Sequence, residues 1–87
     1  MPRVLVVDDD RTQRALLQRF LRSDGYDVEL AEDGAAALEV VQSMPIDVVL
    51  TDMRMPGMNG RELLSRLQEL DSSLPVIVMT AFTDLQD

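Results

Sequence analysis

Carboxylates stand at two places in this 87-residue chain where an apolar run gives out. Val4-Leu5-Val6-Val7 ends in Asp8-Asp9-Asp10, and Val48-Val49-Leu50 passes through Thr51 to Asp52, ahead of a loop with Pro56-Gly57 and Asn59-Gly60. Short β-branched runs without a helical period read as strands buried on both faces, as in a parallel sheet, and Pro-Gly and Asn-Gly punctuate turns. The carboxyl edge of such a sheet is where α/β proteins bind ligands, so two acidic edges point to one common site. Neighbouring strands lie about 4.8 Å apart. Carboxylates forced that close raise one another's pKa unless a shared proton, an Arg or a hard cation intervenes. Carboxylates with a backbone carbonyl and waters form the octahedral oxygen set that Mg²⁺ prefers, and the chain has no Cys or His to favour a softer metal. Such a metal can bridge to an incoming phosphoryl oxygen. Phosphoryl transfer needs mostly positioning, charge neutralisation and an in-line nucleophile, which a carboxylate can be. Thr80, after the apolar run Val76–Met79, adds a hydroxyl near the same oxygens, with Ala81 and Gly57 leaving room around it.

The elements that must position these groups follow in order. A first strand is expected over Arg3–Val7. Asp10 with Gln13 reads as a capping box for a helix over Arg11–Ser23, in which Ala15, Leu16, Phe20 and Leu21, with Leu17 beside them, follow helical spacing. Gly25 stands past its C-cap. Asp27–Ala31 alternates Val28 and Leu30 with Asp27 and Glu29, as a half-polar strand near a sheet edge does. Asp33-Gly34 opens a second helix, Ala35–Ser43, with Leu38, Val41 and the alanines inward, and Pro45 blocks its continuation. A third strand spans Asp47–Thr51. Asn59 and Glu62 look like a second capping box, ahead of a third helix whose core stripe is Leu63, Leu64, Leu67 and Leu70. Pro75–Met79 is a fourth strand of buried type, and Thr83–Asp87 reads as one starting helical turn. This βαβαβαβ order demands a mostly parallel sheet with right-handed crossovers. With the half-polar second strand at an edge, the flavodoxin-like order 2-1-3-4 sets strands one and three side by side, and Asp8, Asp9 and Asp52 face the crevice where strand order reverses.

The totals exclude several classes of function. Eighty-seven residues make one small domain, which buries only about 60–65% of its unfolded surface. Aromatics are 3% of the chain, so Leu, Val, Ile, Met and Ala must build the core. Without Cys there are no disulfides, thiolate metal sites or cysteine catalysis, and without His no imidazole ligand, base or phosphocarrier. A net charge of −8 argues against binding phosphate backbones, so no direct nucleic-acid contact is expected. No apolar run approaches the roughly 18 residues of a membrane span, and no secretory signal opens the chain. The expectation is a soluble cytoplasmic domain. Asp10 and Asp33 are most simply helix caps, Met53, Met55 and Met58 loop packing, and Arg54 a solvent-facing residue.

Taken together, Val4-Leu5-Val6-Val7-Asp8-Asp9, the stretch Asp52-Met53-Arg54-Met55-Pro56-Gly57-Met58-Asn59-Gly60 and Val78-Met79-Thr80-Ala81 resemble the receiver domain of bacterial two-component response regulators. Three motifs in order, at that family's spacings, cover essentially the whole chain. The resemblance implies that Asp52 is the phosphoacceptor, that Asp9 binds Mg²⁺ directly with help from Asp8, that the backbone carbonyl of Arg54 is a further ligand, and that Thr80 is the switch hydroxyl. It implies a sensor histidine kinase as donor, an output domain or partner protein as recipient of the switch, and a phosphoacceptor rather than a turnover enzyme. The wording around Asp52 and Met79-Thr80-Ala81-Phe82 looks most like nitrogen-regulator receivers, which act in transcription regulation.

Receivers run about a third longer, with a fourth helix, a fifth strand bearing a Lys and an aromatic, and a fifth helix. All eight cations here are Arg. The expectation is therefore a single receiver domain over residues 1–87, incomplete at its C-terminus, whose open strand 76–79 invites a homodimer or domain swap. Two rivals stand beside it. One is a receiver remnant that serves as a docking or dimerising module without phosphorylation. The other is a haloacid-dehalogenase-like phosphatase, because Asp8-Asp9-Asp10-Arg11-Thr12 fits D-x-D-x-T with Asp8 as nucleophile. That reading leaves Asp52 without a role.

Overall fold

Apolar residues that alternate along β1, Arg3–Val7, divide the core between two faces of a sheet. The structure, a computed structural model, describes residues 1–79. After β1 come α1 (Arg11–Ser23), β2 (Asp27–Ala31), α2 (Gly34–Ser43), β3 (Val48–Asp52), α3 (Gly60–Leu70) and β4 (Val76–Met79). The four strands pair in parallel in the order β2-β1-β3-β4, so β1 and β3 are neighbours as expected. The expected turn at Thr83–Asp87 lies outside the described residues.

Leu5 and Val7 point to the side of α2 and α3, where they join Ala31, Ala37, Val49, Met55, Leu63, Leu67 and Leu74 in the larger core. Val4 and Val6 point the other way and meet Val28, with Leu17, Leu21, Leu30, Val48 and Leu50 packed around them. β1 is thus buried on both faces. The other apolar strands are not. In β3 only Val49 and Thr51 are buried, while Val48 and Leu50 are half-buried. In β4 no residue is fully buried, and Ile77, paired in register with Leu50, is 53% exposed. The α1 side of the sheet is the less covered one. On α1 itself the inward seam is Leu17 and Leu21, one turn apart, whereas Ala15 is exposed and Leu16 and Phe20 are 55% and 66% exposed. On α3 Leu63 and Leu67 carry the core and Leu70 is largely exposed. Spacing places residues on a common helix face, but whether that face has a partner is a property of the assembled layers.

Local signals set the element ends. Asp10 caps α1 by accepting the N–H groups of Thr12 at 2.9 Å and Gln13 at 3.3 Å. The reciprocal arm of the expected capping box is replaced, because the Asp10 N–H donates to Asp8 Oδ1. At the other end, Gly25 at φ +93° lets its N–H reach the Arg22 carbonyl and that of Tyr26 the Leu21 carbonyl, the two bonds of a Schellman cap. Asp33 accepts the Ala36 N–H at 2.8 Å, which makes Gly34 rather than Ala35 the first residue of α2. β3 runs one residue later than expected. Asp47 turns its carboxylate onto the Arg3 N–H at 2.7 Å, while Asp52 pairs in register with Met79 and becomes the last residue of the strand.

Candidate functional site

In the sheet Val7 lies beside Thr51. One residue further on, β1 releases Asp8 and Asp9 next to Asp52 at the end of β3. One carboxylate oxygen from each of Asp8, Asp9 and Asp52 lies within 4.8 Å of the others. The convergence expected at the strand-order reversal is therefore present. Asp9 is exposed, Asp52 half-buried and Asp8 only 2% exposed.

Asp8 is closed off from water yet lies just beneath the surface. Burial raises its pKa above the ordinary carboxylate value, the hydrogen bond from the Asp10 N–H opposes this, and the negative charges of Asp52, Asp9 and Asp10 raise it further. Its backbone is held at both ends: its N–H donates to the Ala31 carbonyl at 3.2 Å, and Nη1 of Arg14 donates to its carbonyl at 2.7 Å. Around Asp52, the Thr51 hydroxyl donates to the Asp52 carbonyl at 3.1 Å, and the Arg54 N–H makes a long bond of 3.4 Å to Oδ1. The Arg54 side chain is exposed, as expected.

The loop from Met53 to Asn59 is anchored from both sides. Met55 sinks into the larger core and Met58 packs beside it. The Gly60 N–H donates to the Met53 carbonyl at 2.8 Å. Gly60 was expected as turn punctuation but is the first residue of α3. A Cβ there would collide with the Asp52 carbonyl oxygen and stand 2.9 Å from Met53 Cα. Its missing side chain is what lets α3 press against the strand end that carries Asp52. Gly57 has another reason. A Cβ on it meets nothing within 4 Å, but its φ is +76°, so it serves the backbone turn rather than making room around the site.

Sequence reasoning missed Arg14 and the close approach of Gly60. Arg14 follows no motif, and its partner is a backbone oxygen. Asn59-Gly60 carried the signal for Gly60, since the Asn there is the helix cap, with Oδ1 2.8 Å from the Glu62 N–H, and the residue after a cap is helical. Thr80 and Ala81 lie outside the described residues. Asp10, the second Asp of the D-x-D-x-T match, spends its Oδ1 on the cap of α1.

The sequence pattern of the response regulator receiver domain matches residues 4–87. The chain belongs to this family. The response regulator MprA of Mycolicibacterium vanbaalenii is 46% identical over 79 residues, which are 91% of this chain and 34% of that protein. The MprA of Mycobacterium ulcerans is also 46% identical over 79 residues, with the same coverage. The chain thus spans about a third of the length of these curated relatives. Among solved structures, response regulator TrrA from Thermotoga maritima, in complex with Mg²⁺ and a beryllium fluoride, superposes with a TM-score of 0.92 at 35% identity, covering 99% of this chain and 75% of that one. TrrA in complex with the histidine kinase ThkA gives 0.89 at 36% identity, covering 94% and 71%. Family and fold together make this chain a response-regulator receiver, a signalling module. No helix among the described residues is long and apolar enough to cross a membrane.

Proposed function

We propose that Asp52 is the phosphoacceptor of this receiver and takes its phosphoryl group from the phosphohistidine of a sensor histidine kinase. The observation that carries the reading is the convergence of Asp8, Asp9 and Asp52 within 4.8 Å at the carboxyl edge of β1 and β3. The donor set fits Mg²⁺: it is all oxygen, and it concentrates negative charge that a hard cation would offset, charge that adds to burial in raising the pKa of Asp8. Asp8, Asp9 and Asp52 would hold the ion, with the backbone carbonyl of Arg54 as a further ligand. When bound, Mg²⁺ supplies charge neutralisation for the phosphoryl oxygens. The kinase and metal readings draw support from TrrA, whose structures contain ThkA in one case and Mg²⁺ with beryllium fluoride, a tetrahedral mimic of a phosphoryl group, in the other.

The chain's own residues do the rest. The Arg54 N–H orients the Asp52 carboxylate through Oδ1. A carboxylate oxygen of Asp52 attacks phosphorus in line, and an O–P bond forms as the P–N bond to the imidazole breaks. The imidazole keeps the electron pair and takes a proton. Hydrolysis of the acyl phosphate returns Asp52 and inorganic phosphate. The Thr80 hydroxyl acts as the switch group that closes on the phosphoryl oxygens. The consequence is altered contact with an output domain or partner protein, in a regulator of transcription in the cytoplasm.

The test is incubation with a small phosphodonor, with and without Mg²⁺, read by intact mass. Uptake of one phosphoryl group that needs Mg²⁺ and disappears in Asp52→Asn is the expected result. Uptake that survives Asp52→Asn and disappears in Asp8→Asn would restore the phosphatase reading. No uptake under any condition would leave a docking module.

A further inference from the structure

The turn that presents Asp8 and Asp9 is short, and Asp9 and Asp10 are exposed. Such a turn is free to sample several arrangements unless its peptide groups are tied down. Here one side chain ties the peptide that matters. The carbonyl of Asp8 belongs to the planar group joining Asp8 to Asp9, so holding its oxygen fixes the direction in which the chain leaves toward the Asp9 side chain. That oxygen accepts Nη1 of Arg14 at 2.7 Å in a part-buried, charge-assisted bond. Arg14 is itself fixed, because its N–H donates to the Asp10 carbonyl at 3.0 Å in the first turn of α1. The Asp10 N–H, 2.9 Å from Asp8 Oδ1, closes the other side of the same turn.

We infer that Arg14 is a positioning residue for the acidic site: it holds the peptide between Asp8 and Asp9 so that both carboxylates reach Asp52. This rests on the reading of Asp8, Asp9 and Asp52 as a Mg²⁺ site. Two effects of removing Arg14 have opposite signs, which makes the inference testable. Loss of a cation makes the site more negative and on Coulombic grounds tightens Mg²⁺ binding. Loss of the bond frees the turn and weakens it. Arg14 is half-buried, so solvent partly screens the first effect. The second has the size of other groups that orient metal ligands, about ten-fold in affinity. Alanine is the best helix former, so Arg14→Ala leaves α1 intact.

The experiment titrates wild type, Arg14→Ala, Arg14→Lys and Asp9→Ala with MgCl₂, following amide shifts around Asp52, and measures metal-free exchange of the Asp10 amide. Arg14→Ala is expected to weaken Mg²⁺ by about ten-fold despite the more negative site. It should also lose protection at Asp10 while the amides of α3 keep theirs. Arg14→Lys, which retains charge and a donor, should recover most of both. Unchanged or tighter Mg²⁺ binding in Arg14→Ala, with Asp10 still protected, overturns the inference. An Asp9→Ala titration identical to wild type overturns the metal reading instead. Exchange at Asp10 then decides for Arg14 alone: protection lost in Arg14→Ala and regained in Arg14→Lys supports it, and protection kept in both overturns it.

Discussion

Asp8 shows most plainly how one residue is caught between fold and function. It is buried, it accepts the Asp10 N–H, and it faces the charges of Asp52 and Asp9. Its folded pKa lies above the unfolded value, chiefly through desolvation. A group shifted in that direction adds stability that is fully present below the ordinary Asp pKa of about 3.9 and is lost as pH rises through the folded value. The metal-free receiver should therefore lose stability through this residue as pH rises from about 4 through the raised folded value. Asp8→Asn keeps an oxygen for the Asp10 N–H and removes the charge, so it should be the more stable protein at neutral pH. The advantage should vanish below the ordinary carboxylate range and shrink when Mg²⁺ is added. Urea midpoints across pH, with and without metal, check this, and an advantage that grows on acidification would contradict it. The convergence of Asp8, Asp9 and Asp52 was legible in the sequence because two acidic strand ends were expected on neighbouring strands, and β1 and β3 do pair. Arg14 was not, since an Arg near a helix start looks the same whether it bonds a carbonyl or faces water.

At the scale of elements, glycine placement decides how α3 meets the site. The first residue of α3 lies against the backbone of Asp52 and Met53, where Gly60→Ala forces a carbon into the Asp52 carbonyl. Better helix propensity favours the substitution by about 1 kcal/mol, and overpacking against backbone opposes it by about 1–3 kcal/mol. The neighbour here is main chain that cannot step aside, so a net loss is expected together with shifted amide resonances at Asp52. Gly57→Ala meets open space and should cost about 1 kcal/mol through its positive φ alone, leaving Asp52 unmoved. Chemical denaturation and amide spectra of the two variants separate these outcomes. Equal effects at Asp52 would show that the close approach of α3 does not position the site. Element boundaries followed from caps that the sequence displays: Asp10, Asp33 and Asn59 all accept helix N–H groups. Burial of the helix faces did not follow. Leu16 and Phe20 share helical spacing with their neighbours yet face outward, because periodicity defines a stripe without saying what covers it.

At the scale of the whole molecule, the α1 side of the sheet is the thinly covered one. β4 pairs only with β3 among the described residues, carries no charge and no proline, and leaves Ile77 half in solvent beside a half-buried Leu50. An apolar edge of this kind is a template for another chain. The 87-residue chain is therefore expected to self-associate through residues 76–79 and the α1 side of the sheet. Sedimentation over a range of concentrations should show a mass that rises with concentration, and Ile77→Lys should suppress it. A concentration-independent monomer with well-dispersed amide resonances would remove this expectation. The parallel order was legible because each strand–helix alternation permits few topologies, whereas the uneven cover of the two faces depends on how many helices pack on each.

The central claim is that three convergent carboxylates make Asp52 the residue that receives phosphorus. Its most direct test is location of the acyl phosphate itself: reaction with a small phosphodonor and Mg²⁺, reductive trapping with borohydride, and peptide mapping by mass spectrometry. The account predicts reduction confined to Asp52 and absent when Mg²⁺ is withheld. Trapping at Asp8 or Asp9, or at Asp52 without any need for metal, would contradict it.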